Sequence, residues 1–364
     1  MGLKVRAGFA HGQNTQIEVD DFDLEGPREG EVLIELKAAG LCHTDMSFFD
    51  GSRDWSDYPI ILGHEGAGIV RDVGRGVSSV RPGDHVIPVA IPECGECRPC
   101  RSSKSNLCDQ YFIPTPRRPF SRAGRPVRAF CELGTFSNMI VVREMQVTKI
   151  RNDVPLDVIC CIGCAGATGV GSALYTAKVE AGSSVVVFGL GGIGLNVVEG
   201  ARIAGASTII GIDTNPGKEA AARAVGVTHF INPVTLKGDI VGHIRELTDG
   251  GADYSFECVG HRDLVRQAVE CTRIGWGTIV SIGILPGSQE MVLRPRSLQE
   301  GRHLTGSYLG NVKTRTQLPE LVELYADGKL ALDDLISHRI GLEDIAKGFS
   351  MLHDGVARRV VIEF

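Results

Sequence analysis

The feature that most constrains the fold is a glycine turn near the middle of the chain. Gly189, Gly191 and Gly194 form the pattern G-x-G-x-x-G, which follows the apolar run SSVVVF and opens a segment with a helical pattern. In such a unit the first glycine permits a tight turn, the second lets the backbone approach a pyrophosphate, and the third allows the helix to pack closely on the strand. The pattern therefore predicts a βαβ unit that binds a dinucleotide, with Gly192 and Ile193 in the turn.

An acidic residue specifies the dinucleotide more closely. Asp213 ends the run STIIGID, about 20 residues after Gly194. A carboxylate at this place accepts hydrogen bonds from the ribose hydroxyls and repels a 2′-phosphate. We therefore expect NAD rather than NADP. A glycine-rich turn followed by a helix-capping aspartate is the alternative.

Four closely spaced cysteines predict a metal site, here termed the cysteine clip. They lie in the run IPECGECRPCRSSKSNLCDQ, at Cys94, Cys97, Cys100 and Cys108. Thiolates at such intervals can converge on one ion, and an all-cysteine tetrahedral shell binds zinc in a structural role. An iron–sulfur cluster fits less well, because seven residues separate the last two cysteines where the bacterial ferredoxin pattern has three. Disulfide pairing is the third interpretation.

The pattern of apolar residues changes twice along the chain. Residues 1–165 contain short alternating apolar segments, such as 31–37 and 69–73, separated by turns such as Arg81-Pro82-Gly83-Asp84. Residues 166–308 alternate apolar strands with helical segments, which is typical of a parallel sheet covered by helices. We therefore expect an α/β protein with a nucleotide-binding domain at 166–308, inserted into a β-rich domain formed by 1–165 and 309–364.

Composition and charge argue against several classes of protein. The 364 residues, of which 43% are hydrophobic and 46 are glycine, suit a two-domain globular enzyme. The net charge of −6 gives no sign of a nucleic-acid or membrane partner. The first residues lack an apolar signal core, and the longest apolar stretch is interrupted by glycines, so we expect a cytoplasmic protein. Its 11 cysteines are then metal ligands and buried thiols.

One segment, residues 114–128, differs from its surroundings. Its sequence PTPRRPFSRAGRPVR contains five arginines and four prolines. This composition predicts an irregular surface loop. The simpler interpretation is that its charges face water, and the alternative is that they meet an anionic substrate or partner.

Several motifs together resemble one protein family. GLCHTD, GHEGAGIV, the cysteine clip, GCAGATGVGSA and VVVFGLGGIGLNVVEGARIAGASTIIGID follow the order found in the zinc-dependent, medium-chain alcohol dehydrogenases, over essentially the whole chain. The resemblance is nearest to the branch that holds the animal and plant enzymes and the glutathione-dependent formaldehyde dehydrogenases. It implies a GroES-like, β-rich catalytic domain and a Rossmann domain with a doubly wound parallel sheet. It also implies a homodimer that interconverts alcohols and aldehydes or ketones with NAD.

The resemblance also assigns site residues. Cys42, His64 and Cys164 match the ligands of a catalytic zinc with an open fourth position, Glu65 matches the carboxylate next to them, and Thr44 matches the proton-relay hydroxyl. The cysteine clip matches a structural zinc site, so two zinc ions per chain are expected. The residues that match cofactor contacts are His43 and Arg358 at the pyrophosphate, Thr168 and Ile193 at the nicotinamide, and Lys218 at the adenosine ribose.

The chain departs from the family pattern at places that bear on substrate. Ser47 stands where many relatives have a histidine that completes the proton relay, which leaves the final proton acceptor open. Phe112 replaces the arginine that holds a glutathione carboxylate, and Trp55 replaces an acidic residue. Because these charged partners are missing, we expect aromatic, branched or medium-chain alcohols as substrates, with thiol-adduct formaldehyde dehydrogenation as the alternative. The intact zinc-ligand set argues against a zinc-independent quinone reductase and against a catalytically silent binding protein.

The predicted substrate pocket is apolar and wide. Ala90 occupies a lining position that often holds an aromatic ring in the family, and removing a ring leaves space. The other residues that match or flank lining positions are Trp55, Phe112, Ile113, Phe130 and Ile284. Bulky alcohols should gain more apolar burial in such a pocket than ethanol does.

Overall fold

A computed structural model describes residues 2–51, 56–113, 117–285 and 289–364. They form two compact units. The first unit comprises Met1–Cys164, Lys313–Gly328 and Leu332–Phe364, and the second comprises Ala165–Val312 and Lys329–Ala331. The sequence predicted boundaries after residues 165 and 308, and it did not indicate that the short segment Lys329–Ala331 belongs with the second unit.

The elements are numbered along the chain. The strands are β1 (Leu3–Ala10), β2 (Glu18–Leu24), β3 (Glu31–Gly40), β4 (Ile60–Ile61), β5 (Ala67–Val73), β6 (His85–Pro88), β7 (Phe120–Arg122), β8 (Arg125–Ala129), β9 (Met139–Arg143), β10 (Val147–Lys149), β11 (Ser184–Phe188), β12 (Thr208–Ile212), β13 (His229–Ile231), β14 (Tyr254–Glu257), β15 (Thr278–Ser281), β16 (His303–Gly306), β17 (His338–Gly341) and β18 (Val360–Glu363). The α-helices are α1 (His43–Met46), α2 (Arg98–Arg101), α3 (Leu156–Ile159), α4 (Ala165–Gly171), α5 (Gly192–Ile203), α6 (Glu219–Val225), α7 (Ile240–Leu247), α8 (Arg262–Glu270), α9 (Pro295–Gln299), α10 (Leu318–Ala326) and α11 (Ile345–His353).

The first unit contains a closed barrel and a larger sheet. The barrel has the strand order β1-β2-β7-β8-β4, and the seven-stranded sheet has the order β10-β6-β5-β3-β18-β17, with β9 also paired to β3. Strand β3 is buried along most of its length, as expected of an apolar strand covered on both faces. It ends at Gly40, and β4 of the barrel ends at Ile61. The two strand ends therefore position Cys42 and His64, which follow them directly.

The prediction of an irregular loop at 114–128 is wrong for the described part of that segment. Strands β7 and β8 form a hairpin of the barrel, with a turn at Ala123 and Gly124, which both have positive φ. Phe120 and Val127 are buried in the barrel core, so alternating apolar residues outweigh the two prolines in this stretch. Four of the five arginines form ion pairs instead of facing only water: Arg117 contacts Glu25 and Glu31, Arg118 and Arg128 contact Asp57, and Arg122 contacts Asp20.

The second unit is built on a six-stranded parallel sheet. Its order is β13-β12-β11-β14-β15-β16, and every neighbouring pair is parallel. The strand order reverses between β11 and β14, which creates a crevice at the carboxyl ends of these strands. The side chains of Val185, Val186 and Val187 on β11 are fully buried, because helices cover both faces of such a sheet.

The predicted fold class, a β-rich domain together with a Rossmann domain, is confirmed. The predicted helix start at Asn215 is also present, since the Asn215 side chain accepts a hydrogen bond from the Gly217 amide at 2.9 Å. Within the described part of the chain no single helix has the length and apolarity needed to cross a membrane, and Leu156–Gly163 and Ala165–Ala177 meet this test only in combination.

Candidate active site and structural metal centre

The cysteine clip converges in the structure. The Sγ atoms of Cys94, Cys97, Cys100 and Cys108 all lie within 4.8 Å of one another. The Cys94–Cys100 and Cys97–Cys108 Sγ distances are 3.9 and 3.8 Å. A tetrahedral shell with Zn–S bonds of about 2.3 Å has sulfur–sulfur edges of about 3.8 Å, so the four thiols fit zinc. The same distances are much too long for a disulfide, whose sulfurs lie about 2 Å apart.

The clip is attached to the segment at which the chain re-enters the first unit. Glu93, next to the clip, accepts hydrogen bonds from the amide of Arg315 at 2.7 Å and from the hydroxyl of Thr316 at 3.1 Å. The Lys313 ammonium donates to the carbonyl of Cys100 at 2.5 Å. The clip therefore tethers a segment that is more than 200 residues away in sequence.

A second cluster brings together the predicted catalytic zinc ligands. Ligand atoms of Cys42, His64, Glu65 and Cys164 lie within 4.8 Å of one another. Cys42 directly precedes α1, His64 and Glu65 follow β4, and Cys164 directly follows the 3-10 turn Cys160–Gly163. Two thiols and one imidazole leave a tetrahedral zinc ion with one open position, which a catalytic site requires.

Asp45 fixes the imidazole, and the sequence analysis did not assign it a role. Its Oδ1 is 3.1 Å from His64 Nδ1 and accepts a hydrogen bond from the Gly63 amide at 2.9 Å. This bond leaves Nε2 of His64 for a metal, as in many carboxylate–histidine–zinc arrangements. Asp45 is fully buried, and burial raises the pKa of its carboxyl group even though His64 opposes that change. The acidic residue three positions after Cys42 was the available sequence signal.

Glu65 is held by Arg359, a second residue that the sequence analysis missed. Nη1 of Arg359 lies 3.0 and 3.1 Å from the two carboxylate oxygens of Glu65 and also donates to the carbonyl of Leu41. Burial raises the pKa of Glu65 to about 8, while Arg359 acts in the opposite direction. Gly40 lies against Glu65, and a Cβ atom at position 40 would collide with the Glu65 carboxylate.

Thr44 lies beside the cluster, whereas Arg358 does not. The Thr44 hydroxyl is 3.5 Å from Cys42 Sγ, and the Ser47 hydroxyl donates to the Thr44 carbonyl at 2.7 Å. His43 is exposed. Arg358 is also exposed and donates to the carbonyl of Asp334 at 3.1 Å. Pyrophosphate contacts of His43 and Arg358 stay a prediction.

The predicted pocket residues of the first unit fall into two groups. The ring of Phe130 packs edge-on against His64, with ring centroids 5.3 Å apart, and against Phe48 at 4.5 Å. Ala90 is half-buried at the core. Phe112 and Ile113, in contrast, are 66% and 53% exposed at the end of the 3-10 turn Asp109–Phe112. Trp55 lies outside the described residues, and Ile284 is an exposed residue of the second unit.

The glycine turn of the second unit has the form that a dinucleotide needs. Gly189 has a φ of 87°, in the left-handed region that favours glycine. A Cβ atom on Gly194 would collide with the carbonyl of Gly189, whereas one on Gly191 would meet nothing within 4 Å. Gly192 begins α5, and the first amides of a helix have no partner inside it and can bind an anion. The residues therefore fit a pyrophosphate group.

Asp213 is held next to this turn. Its carboxylate accepts hydrogen bonds from the amides of Leu190 and Asn215, each at 2.9 Å, and from the Lys218 ammonium at 2.8 Å. Burial raises the pKa of Asp213, but Lys218 and the two amides outweigh burial, and the net pKa is below the usual value. The carboxylate is thus charged at neutral pH, as discrimination against a 2′-phosphate requires.

The two predicted nicotinamide residues lie on neighbouring helices of the same unit. Thr168 is in α4 and is buried, and Ile193 is in the first turn of α5. Gly169 allows α4 and α5 to pack closely, since a Cβ atom at position 169 would lie 2.6 Å from the carbonyl of Ile193. The structure therefore brings Thr168 and Ile193 to one region of the second unit.

Comparisons with known proteins agree with both parts of the chain. Residues 28–152 match the alcohol dehydrogenase GroES-like domain and residues 192–327 match the zinc-binding dehydrogenase domain. The chain is 44% identical to an alcohol dehydrogenase class-3 of Cereibacter sphaeroides, over 100% of both chains. It is 45% identical to an S-(hydroxymethyl)glutathione dehydrogenase of Paracoccus denitrificans, over 99% of this chain and 100% of that protein. Its fold is similar to benzyl alcohol dehydrogenase from Acinetobacter calcoaceticus, with a TM-score of 0.91 and 28% identity over 100% and 99% of the two chains.

Proposed function

Because this chain belongs to the zinc-dependent alcohol dehydrogenase family, we propose that Cys42, His64 and Cys164 hold its catalytic zinc. The observation that carries this assignment is the convergence of two thiols and a buried imidazole whose other nitrogen is bonded to Asp45. Bound at such a site, zinc lowers the pKa of an alcohol hydroxyl, and NAD accepts the hydride. The cysteine clip would hold a second, structural zinc.

The protein's own side chains have separate tasks in this reaction. Asp45 keeps His64 in one ring orientation and one tautomer. Thr44, next to Cys42, takes the hydroxyl proton of the alcohol and passes it outward, so it acts as a relay and not as the final base. The Ser47 hydroxyl is engaged as a hydrogen-bond donor to the Thr44 carbonyl, so the proton from Thr44 would go on to solvent or to the cofactor ribose.

The first candidate substrate is a thiol adduct of formaldehyde of the S-(hydroxymethyl)glutathione type. The Paracoccus relative is named for this compound and is similar to this chain over its full length. Relatives of this name also include a Haemophilus influenzae protein at 42% identity over 100% of this chain. This candidate therefore rests on similarity across both domains.

The second candidate is a hydrophobic alcohol, which the side chains near the cluster favour. Phe130 packs its ring against His64, and Phe48 packs against Phe130. Ala90 stands at a position that often holds an aromatic ring in the family. Phe112 offers no charge to a glutathione carboxylate. Each methylene that such a pocket buries contributes about 0.8 kcal/mol, so a benzyl group gains several times what a methyl group gains. The similarity to a benzyl alcohol dehydrogenase supports the same candidate.

A kinetic survey with NAD separates the two candidates. The substrates are ethanol, benzyl alcohol, and formaldehyde with and without glutathione. A thiol-adduct enzyme should oxidise formaldehyde best and only with glutathione. An enzyme for hydrophobic alcohols should prefer benzyl alcohol to ethanol by at least about tenfold in kcat/KM, which needs only about 1.4 kcal/mol of differential binding. Failure of the zinc-loaded protein to reduce NAD with every substrate would refute the proposed function.

Two variants test the placement of the pocket. Phe112→Arg restores a guanidinium that can pair with a carboxylate, so it should raise kcat/KM for the glutathione adduct by about tenfold if that region binds the adduct. Ala90→Phe restores the ring that relatives often carry at this lining position and should shift preference toward ethanol. If neither variant changes the substrate ratios, these residues do not line the pocket.

Assembly and compartment are further proposals. A homodimer is expected from the family resemblance, and sedimentation of the purified protein will determine the number of chains. We infer a cytoplasmic protein because six of its eleven cysteines lie in the two clusters, and thiolate ligands need a reducing compartment. Fractionation of the native host, with detection of the untagged protein, tests this compartment.

A further inference from the structure

The turn that carries Phe130 has an unfavourable backbone conformation. Phe130–Glu132 forms a 3-10 turn directly after β8, and Cys131 and Glu132 have φ angles of 54° and 60°. Residues with a Cβ atom rarely adopt this left-handed region, so neighbouring groups must hold the turn in place. Phe130 at its start packs on the ring of His64. The conformation of this turn therefore sets the position of an aromatic ring next to the catalytic cluster.

A polar frame of three side chains holds this turn. Gln146, only 1% exposed, donates from Nε2 to the carbonyl of Cys131 at 3.2 Å, and its Oε1 accepts from Arg143 Nε at 3.1 Å. Nη2 of Arg143 lies 2.8 Å from the carboxylate of Glu132. Gln146, Arg143 and Glu132 thus connect both left-handed residues to the start of β10. We call these three side chains the turn frame.

Gln146 also contacts a second wall of the proposed pocket. The side-chain Nε2 of Gln146 lies 3.4 Å from the carbonyl of Val89. The backbone carbonyl of Gln146 accepts a hydrogen bond from the Val89 amide at 2.8 Å. Val89 directly precedes Ala90. The buried side-chain amide of Gln146 therefore joins Val89, which precedes Ala90, to Cys131, which follows Phe130.

The surroundings of the turn frame make it more than a packing contact. A cavity lies against the turn and is lined by Glu132, Arg143 and Gln146 together with Ala129, Val141 and Val142. Close-packed neighbours would hold a strained turn even without polar bonds, but a cavity leaves it room to relax. On this side the polar bonds of Gln146 and Arg143 restrain the turn, in addition to the backbone bonds that Leu133 and Gly134 donate to the Phe130 carbonyl.

We propose that Gln146 is a positioning residue for substrate specificity, which acts with Arg143 and Glu132 to fix Phe130 and Ala90 as the walls of the alcohol pocket. This inference rests on the proposed function, because it requires that Phe130 and Ala90 line the pocket. The zinc and NAD sites do not depend on it. Loss of the frame changes which alcohols bind well, and it leaves metal and cofactor binding intact.

The test is the Gln146→Met variant, which keeps the length of the side chain and removes its donor and acceptor. Wild type and variant are compared, zinc-loaded, for kcat and KM with benzyl alcohol and with ethanol at saturating NAD. We expect the ratio of kcat/KM for the two alcohols to change by at least about fivefold, mainly through KM, because the relaxed walls hold the carbon skeleton differently. Zinc content and the KM for NAD should stay at the wild-type values.

Thr148→Val provides the matched control. Thr148 lies two residues further along, on β10, is fully buried and donates one hydrogen bond, to the carbonyl of Thr314 at 2.7 Å. Loss of this hydrogen bond should lower the melting temperature as much as Gln146→Met does. It should leave the ratio of kcat/KM for benzyl alcohol and ethanol unchanged. If both variants change the ratio equally, or if Gln146→Met lowers only stability, the inference is refuted.

Two further variants distinguish a failed inference from a failed pocket. Arg143→Met breaks the same frame at a partly exposed residue and should reproduce the change in ratio if Gln146→Met does not fold. Phe130→Ala should change the ratio by itself. If Phe130→Ala changes it and both frame variants do not, the pocket stands and the inference is wrong. If Phe130→Ala has no effect, Phe130 does not line the pocket, and the inference falls with that placement.

Discussion

At the scale of single residues, buried charges organise the two proposed binding sites. Asp45 and Arg359 are both almost fully buried, and each bonds directly to a residue of the catalytic cluster. A buried charge without a partner is costly, so the Asp45 carboxylate is stabilised by its bonds to the Gly63 amide and to His64. The same bonds hold the His64 ring in place. The same reasoning applies to Asp213, which is buried against Lys218 and two amides.

Asp213 leads to a prediction on cofactor choice. The protein should use NAD far better than NADP, and Asp213→Ser should reduce the ratio of the two kcat/KM values by about 10- to 100-fold, since the repulsion of the 2′-phosphate is removed. Asp239→Ser is the control, because Asp239 also accepts backbone hydrogen bonds in this unit but caps α7. A wild-type preference for NADP would contradict the assignment.

At the scale of elements, short segments gain their stability from distant partners. Strands β7 and β8 are short, yet the ion pairs of Arg117, Arg118 and Arg128 join this hairpin to Glu25, Glu31 and Asp57. The cysteine clip is likewise bonded to residues 313–316 through Glu93 and the Cys100 carbonyl. Both segments are therefore fixed by contacts with residues that are distant in sequence.

The clip and the catalytic cluster should respond differently to loss of one thiol. Cys97→Ser opens the structural shell and should lower the melting temperature by at least about 5 °C, because structural zinc contributes folding free energy directly. Cys164→Ser should lower the melting temperature by less than half as much as Cys97→Ser does, and it should abolish turnover. Differential scanning calorimetry and NADH absorbance measure the two effects. An equal loss of stability in both variants would contradict this division of roles.

At the scale of the whole molecule, the protein is a zinc- and NAD-dependent dehydrogenase with two separate metal clusters in one unit and a nucleotide fold in the other. The predictions of the family, of the fold class and of both cofactors are confirmed by the comparisons. The substrate is where the named relatives and the side chains of this chain point in different directions. The relatives favour a glutathione adduct, and Phe112 and Ala90 favour a hydrophobic alcohol.

The number of bound metal ions follows from the two clusters. Purified active protein should contain about two zinc ions per chain, since each cluster provides a complete ligand set for one ion. Elemental analysis of the native protein checks the number, and stepwise removal with a chelator should abolish turnover before it unfolds the chain. One ion or none in fully active protein would eliminate the two-site interpretation.

The sequence alone determined those features whose physical cause is local. The glycine turn, the cysteine clip and the alternation of strands and helices each depend on residues within about 30 positions, so spacing and periodicity predict them. The motif order then identified the family, and the resemblance implied a ligand set whose side chains the structure brings together. The prediction of a loop at 114–128 was wrong because it gave weight to the arginines and prolines. The alternating apolar residues of this segment form strands once they are buried in the barrel core.

The tertiary structure decided the contacts between residues that are far apart along the chain. Glu65 and Arg359 are 294 positions apart, and Lys313 and Cys100 are 213 apart, so no local pattern could reveal either pair. The turn frame depends on Gln146 meeting Cys131 and Val89, which belong to different segments of the first unit. Such contacts arise only when the strands assemble, because a buried polar group takes whichever partner the packed chain brings within reach.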